Sequence, residues 1–327
     1  MRSIIGTSLT LALVATSACG GDDSTNIQLP GDSGGADTLT ADGGNKPDTG
    51  GNDSGNQPDT MIPDSGIVPD AGTFTVKNVL GLALWLDGTK GITQNNGFVS
   101  RWADQSGNVN DAFEQNVNFQ PKFNAGAINN EPALHFKASA GGGGNGYGNM
   151  LVIADAPTLD WNTGDYLIEI VAQYDNNPNN PTSTIGIGTF YSKQEYIQQP
   201  PFLNAGPDLY GNWPAQNGNT TSFGSSADNA NSVVSANTGF NDGKPRVFTV
   251  QRVGTALNLR VDGVQTDSKM IASINVDKKV NARIGASGDA SWLRLDGDIA
   301  EIIAVKGAIT SNDLAGIEDY LKTKYGL

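Results

Sequence analysis

All 24 aromatic side chains of this 327-residue chain lie at or beyond Phe74. No other feature limits its folding more, because a packed core needs large apolar side chains and the first quarter has almost none. Residues 20–72 hold ten Asp and one basic residue, Lys46, for a local charge of −9. Gly, Asp, Pro, Ser, Thr and Asn supply 40 of these 53 positions, with a loose Pro-Asp repeat at 47–48, 58–59, 63–64 and 69–70. Such a segment buries too little apolar surface to offset the entropy of ordering, so it reads as a disordered, self-repelling spacer. Treated as a coil it spans about 40 Å. Its Asp residues lack the Asp-x-Asp-x-Asp-Gly spacing of a calcium loop.

Ahead of the spacer, Arg2 supplies a short positive region and Ile4 to Ala15 an apolar one. Twelve helical residues rise only about 18 Å, short of the roughly 30 Å hydrocarbon slab, so the stretch reads as a cleavable export signal. Its end, Thr16-Ser17-Ala18-Cys19, resembles the bacterial lipobox, in which small residues precede a Cys that is lipidated and becomes the new N-terminus. Thr16 departs from that pattern, where Leu is preferred. The chain's single Cys falls at this position. The resemblance implies a signal over 1–18, lipidation at Cys19 and a tether over 19–72. It further implies attachment to a bacterial membrane, the outer membrane first and the cell surface as an extension of it.

Residues 73–327 carry the aromatics and a charge of only −6, and they are enough for one large domain. Short β-patterned runs recur: Leu80 to Asp87 with Leu82, Leu84 and Leu86 on one face, then Leu167–Tyr174, Thr184–Tyr191 and Val247–Arg252. Leu257–Val261 turns at Asp262-Gly263 into Val264, the signal of a tight hairpin. Leu293–Leu295 and Ile299–Val305 add two more predicted strands. The one helical pattern comes last: Thr310 or Ser311 as cap, a stripe of Leu314, Ile317, Leu321 and Tyr325, an exposed Glu318–Lys322 pair, and Gly326 as stop. This spacing predicts an all-β sandwich or barrel with a helix across one end.

Particular residues narrow the class. Leu82-Ala83-Leu84-Trp85-Leu86-Asp87, Val99 to Asn108 with Asp111-Ala112, and Pro132-Ala133-Leu134-His135-Phe136 resemble the opening of laminin-G-like, concanavalin-A-like domains. Gly297-Asp298-Ile299-Ala300-Glu301-Ile302-Ile303 and Lys324-Tyr325-Gly326 resemble their ending. The resemblance implies an antiparallel two-sheet jelly roll with a C-terminal helix over 73–327. That fold hosts lectins, glycanases and adhesion modules, so it fixes shape better than activity.

The chemistry is sparse. One His rules out poly-His metal sites and makes a His-based charge relay a poor fit. The glucanase string Glu-x-Asp-x-x-Glu is absent, and Asp298-x-x-Glu301 lies in a pattern shared with non-catalytic members. Asp165 and Glu169 share a strand face at most, with Asp165 read as solvated. The Gln-x-His strand of jelly-roll lyases is absent too, and alternation sets His135 and Lys137 on the face opposite Leu134 and Phe136, toward solvent. Gly141–Gly144 lack the Lys and Ser/Thr of a phosphate loop. For a cation, Asp175 and Asn177 in the Asn-rich run after the strand are the candidate calcium ligands, against ordinary Asn turn chemistry. For a sugar, Tyr210, Asn212 and Trp213 form the candidate platform, because large aromatics in a loop-like run need an explanation. Trp85, Trp102, Trp161 and Trp292 read as core.

The sequence therefore points to a lipid-anchored envelope protein displaying a non-catalytic glycan- or ligand-binding module. Its acidity argues against a nucleic-acid partner. Calcium is its one candidate cofactor. A glycan-active hydrolase or lyase and a purely adhesive protein are the other readings.

Overall fold

The computed structural model describes residues 74–138, 148–175, 188–197, 203–211, 223–228, 232–234, 239–273, 275–288 and 294–327. The described strands begin with β1 (Leu82–Asp87), β2 (Ile92–Asn95), β3 (Phe98–Trp102), β4 (Ala112–Phe113), β5 (Lys122–Ile128) and β6 (Glu131–Phe136). They continue with β7 (Leu151–Ile153), β8 (Tyr166–Tyr174), β9 (Thr189–Ser192), β10 (Glu195–Ile197), β11 (Leu203–Gly211) and β12 (Phe223–Asp228). The last are β13 (Ser232–Val234), β14 (Arg246–Val253), β15 (Ala256–Val261), β16 (Val264–Met270), β17 (Ala282–Ile284) and β18 (Gly297–Lys306), before the helix α1 (Ser311–Tyr325).

Every described pairing is antiparallel, and the ladders form two facing layers. The first runs β16–β15–β14–β8–β18, and the far edge of β18 is shared by β6, along 297–299, and β1, along 301–305. β5 lies beyond β6. The second runs β2–β3–β4–β7–β17–β9–β11–β12–β13. A single pairing of Phe98 with Lys122 joins β3 to β5 and ties the layers at one side. The fold is an antiparallel β-sandwich with a terminal helix, as the strand spacing indicated.

The layers meet through Leu134, Phe136, Ile168, Ile170, Phe248 and Ile302 from one side and Trp102, Ile153, Phe190, Tyr191 and Ile284 from the other, all buried. Phe190 bridges them, with ring centroids 4.7 Å from Tyr174 and 5.0 Å from Phe248. Gly285, at φ +79°, permits this approach, since a Cβ there would lie 2.3 Å from the Phe136 ring. The Asp104–Asn110 turn is structural. Asp104 accepts from the backbone N–H groups of Trp85, Ser106 and Asn110, while Asn108 and Asn110 donate to carbonyls of β1.

A second apolar layer lies outside the sandwich. Leu167, Val171, Val247, Ile303 and Val305 on the outer face of the first sheet pack against Ile317, Leu321 and Tyr325 of α1. Each such fully buried side chain contributes about 1.5–3 kcal/mol. The helix thus covers a sheet face and does not cap an end as the sequence suggested, which explains why β8 and β18 are apolar on both faces. Thr310 caps it by accepting from the Asp313 N–H at 3.0 Å, and Gly326 closes it in the left-handed region.

Three further expectations change. A bulge between Leu82 and Leu84 turns Leu82 toward the helix layer, away from the face of Leu84 and Leu86. Glu318 is buried and accepts from Arg260 Nε at 2.7 Å, so it is not an exposed partner of Lys322. Arg294 to Asp296 are not strand. The hairpin at Asp262-Gly263 stands, both residues having positive φ as a type I′ turn requires.

Candidate functional site

Beyond the end of the sheet that α1 covers, the outer face of β6, β18 and β8 carries a polar patch. Alternation along β6 turns Leu134 and Phe136 inward, so Ala133 and His135 point outward and Lys137 follows them. Along β8 the same rule brings Gln173 and Asp175 to this face after Val171. On β18 a bulge inserts Ala300 between Ile299 and Glu301, which lets both Asp298 and Glu301 face outward. Close strand packing fixes the start of β18 as well: a Cβ at Gly297 would meet the Gln173 carbonyl oxygen at 2.2 Å.

Asp298 is the centre of the patch. Register pairs it with His135 on one side and Gln173 on the other. Its Oδ1 lies 3.1 Å from His135 Nδ1, and its Oδ2 accepts from Gln173 Nε2 at 2.7 Å. The Asp298 side chain is 6% exposed and that of His135 29%. Lys137 Nζ stands 3.6 Å from Asp175 Oδ2 and 3.5 Å from Asp296 Oδ1, and Asp296 Oδ1 also accepts from the Ala138 N–H. One atom each from His135, Asp175 and Asp298 lies within 4.8 Å of the others. The Asp298 hydrogen bond raises the His135 pKa above its ordinary value against partial burial, with Asp175 adding to it and Lys137 opposing. The patch therefore offers fixed donors and acceptors on strands rather than on loops.

A second group of carboxylates is shut away from solvent. Asp87 and Glu301 have no exposed side-chain surface, and Lys324 of α1 bridges them at 2.7 and 2.6 Å. Glu301 also accepts from Trp85 Nε1 at 2.7 Å and the Tyr325 hydroxyl at 2.8 Å. Burial pushes the Glu301 pKa up and Lys324 only partly opposes it. Burial acts the same way on Asp87, but hydrogen bonds from Lys324 and Thr89 outweigh it and leave Asp87 below its usual range. This group clamps the helix to β1 and β18. It explains why the residues of the two terminal motifs, Trp85, Asp87, Glu301, Lys324 and Tyr325, occur together.

The residues singled out from the sequence fare unevenly. Asp175 joins the patch, where its near neighbours are Lys137 and His135. Cys19, Asn177, Asn212, Trp213 and Trp292 lie outside the described residues. Tyr210 belongs to β11, paired with Gly224 and Thr189, so the run from Asp208 to Gly211 is strand and not loop. Asp165 and Glu169 do not act together: Asp165 accepts from the Gly254 N–H at 2.7 Å, whereas Glu169 is fully buried beneath α1. His135 does face outward but is tied to Asp298. Sequence reasoning missed this pairing because 163 residues separate the partners.

The described residues define an antiparallel β-sandwich domain with an outward polar patch. No protein-family model and no curated protein sequence matches the chain. In fold it is similar to the binding domain of Paraclostridial Mosquitocidal Protein 1, at 11% identity and a TM-score of 0.51, over 76% of this chain and 53% of that one. Weaker overlaps are with the binding domain of botulinum neurotoxin serotype G, at 12% identity, a TM-score of 0.48 and 74% and 51% coverage, and with domain 4 of AbnA, a GH43 extracellular arabinanase from Geobacillus stearothermophilus, in complex with arabinotriose. The latter has 14% identity, a TM-score of 0.42 and 73% and 99% coverage. The chain spans about half the length of the two toxin structures. At such identities the likeness establishes the sandwich fold.

Proposed function

We propose that this chain is an exported bacterial lipoprotein, anchored through Cys19 and tethered by residues 20–72, whose sandwich binds a glycan without acting on it. The observation that carries the reading is Asp298, buried between the outward-pointing His135 and Gln173 and bonded to both. Sugar hydroxyls both donate and accept, and the imidazole and amide that the buried Asp298 carboxylate holds in place meet them with little ordering cost. A retaining glycosidase instead needs two carboxyl groups about 5–5.5 Å apart with the reacting bond between them. Asp298 has both oxygens engaged by neighbours, and Glu301 lies under the helix, which favours binding over hydrolysis. The binding-domain likeness of the mosquitocidal protein supports the same choice. Asn212 and Trp213, by their residue types, are proposed as a separate amide and aromatic platform for the same ligand class, and the net charge of −14 weighs against nucleic acid.

The test is glycan-array probing of the full chain, with Trp213→Ala in parallel. Selective retention of a glycan class, reduced in the variant, is the expected result. A blank array from folded protein would remove the glycan reading, and retention unchanged in the variant would remove the platform. Separately, Cys19→Ala is expected to abolish lipid labelling and membrane partitioning; unchanged partitioning would remove the anchor.

A further inference from the structure

We propose that His135, Asp175 and Asp298 hold a divalent transition-metal ion on the open end of the sheet's outer face. The inference goes beyond the glycan reading and does not depend on it, because the ion can be measured alone. Its first support is geometric. One imidazole nitrogen and two carboxylate oxygens, contributed by three strands or strand ends, lie within 4.8 Å of one another. Ligands bound at about 2.0–2.2 Å in adjacent positions around one ion sit roughly 3–3.5 Å apart, the lower end for right-angle and the upper for tetrahedral neighbours. The 3.1 Å between His135 Nδ1 and Asp298 Oδ1, a hydrogen-bond contact, falls within that range. Asp175, at the end of β8 with its side chain 34% exposed, has freedom to close the remaining distance.

Charge is the second support. Three carboxylates, Asp175, Asp296 and Asp298, share this face with one ammonium among the described residues, that of Lys137. Arg294, next along the chain, reaches the Asn149 carbonyl through Nη1 at 3.4 Å. Three carboxylates against one ammonium leave the group net negative in either form of the imidazole, which a divalent ion would balance. The third support is the outer shell. Gln173 Nε2 donates to Asp298 Oδ2 at 2.7 Å, so one oxygen is held from behind while the other faces His135, the kind of contact that orients metal-binding carboxylates.

The donor set also chooses the ion. Calcium and magnesium favour all-oxygen shells, whereas imidazole suits zinc and its neighbours in the transition series. The proposed mixed nitrogen and oxygen site shares Asp175 with the calcium pair expected from the sequence, whose other member, Asn177, lies outside the described residues. Three protein ligands leave coordination positions open to solvent or to a bound hydroxyl.

The test is isothermal titration of the chelator-stripped full chain with zinc, manganese and calcium salts, in a Cys19→Ser background so that no thiol competes. One equivalent of zinc is expected to bind at least tenfold tighter than manganese or calcium. His135→Gln and Asp298→Asn are each expected to weaken that binding at least a hundredfold. Asp175→Asn, at a partly exposed strand end where folding is not at stake, is expected to weaken it at least tenfold. Unchanged affinity in all three variants would assign the ion to the tether or to adventitious sites and overturn the proposal. So would the absence of binding, which would leave only a His135–Asp298 ion pair, or equal affinity for calcium. Metal binding with a blank glycan array would sink the glycan reading alone, and glycan retention without metal would sink this one alone.

Discussion

Replacing Lys324 with Met removes one positive charge from between two carboxylates that water does not reach. Met keeps the apolar stem, so the loss reports the charge and not the packing. Afterwards Asp87 retains Thr89 and the half-exposed Lys90, and Glu301 retains the neutral donors Trp85 and Tyr325. Breaking a buried ion pair by deleting one partner costs about 3–5 kcal/mol, against less than about 1 kcal/mol for an exposed pair. For a domain of this size that is a fall in Tm of roughly 6–20 °C. The loss also depends on pH. Burial already raises the folded-state pKa of Glu301 above 4.5, so the folded chain holds that proton more tightly than the unfolded chain. The stability this lends is full below pH 4.5 and is lost as pH rises through the folded value. Without Lys324 the upward shift grows, and the deficit is expected to be larger at pH 8 than at pH 5. Urea unfolding followed by tryptophan fluorescence at both pH values measures it, with Lys324→Arg as control. A deficit under about 1 kcal/mol, or one equal at both pH values, would refute the buried clamp.

Other expectations follow from the same contacts. Glu169 is fully buried with Oε2 unpartnered among the described residues, and burial first, then Glu318, raises its pKa well above 4.5. The wild-type chain should lose stability as pH rises from 4.5 through that value, and Glu169→Gln should reduce this slope to the share left by Glu301; identical pH profiles of unfolding would count against a neutral buried carboxyl. Gly297→Ala forces a Cβ against the Gln173 carbonyl and should cost about 1–3 kcal/mol while parting β8 from β18. An unfolding midpoint equal to wild type would mean that the strands are less tightly set.

Much of the fold was legible because local pattern and long-range packing agree in β8, β14, the β15–β16 turn and α1. Elements failed where an outer layer or a bulge intervened. Leu82 reads as a partner of Leu84 and Leu86 until the β1 bulge rotates it. Glu318 reads as surface until Arg260 of β15 is placed beneath the helix. The site was scarcely legible. His135 showed only as an outward strand residue and Asp298 only as part of a shared motif, and nothing in spacing joins them. Their meeting depends on β18 running between β6 and β8 in a register that pairs Asp298 with both His135 and Gln173, a property of tertiary pairing and not of any local run.

The claim that Asp298 organises a glycan-binding face is met most directly by one affinity. A glycan selected on the array is titrated into the full chain and into Asp298→Asn, with equal unfolding midpoints confirming that both are folded. The expected result is saturable binding to the wild-type chain and at least tenfold weaker binding to the variant. Equal affinity in the two proteins would move the ligand elsewhere on the domain and contradict the assignment.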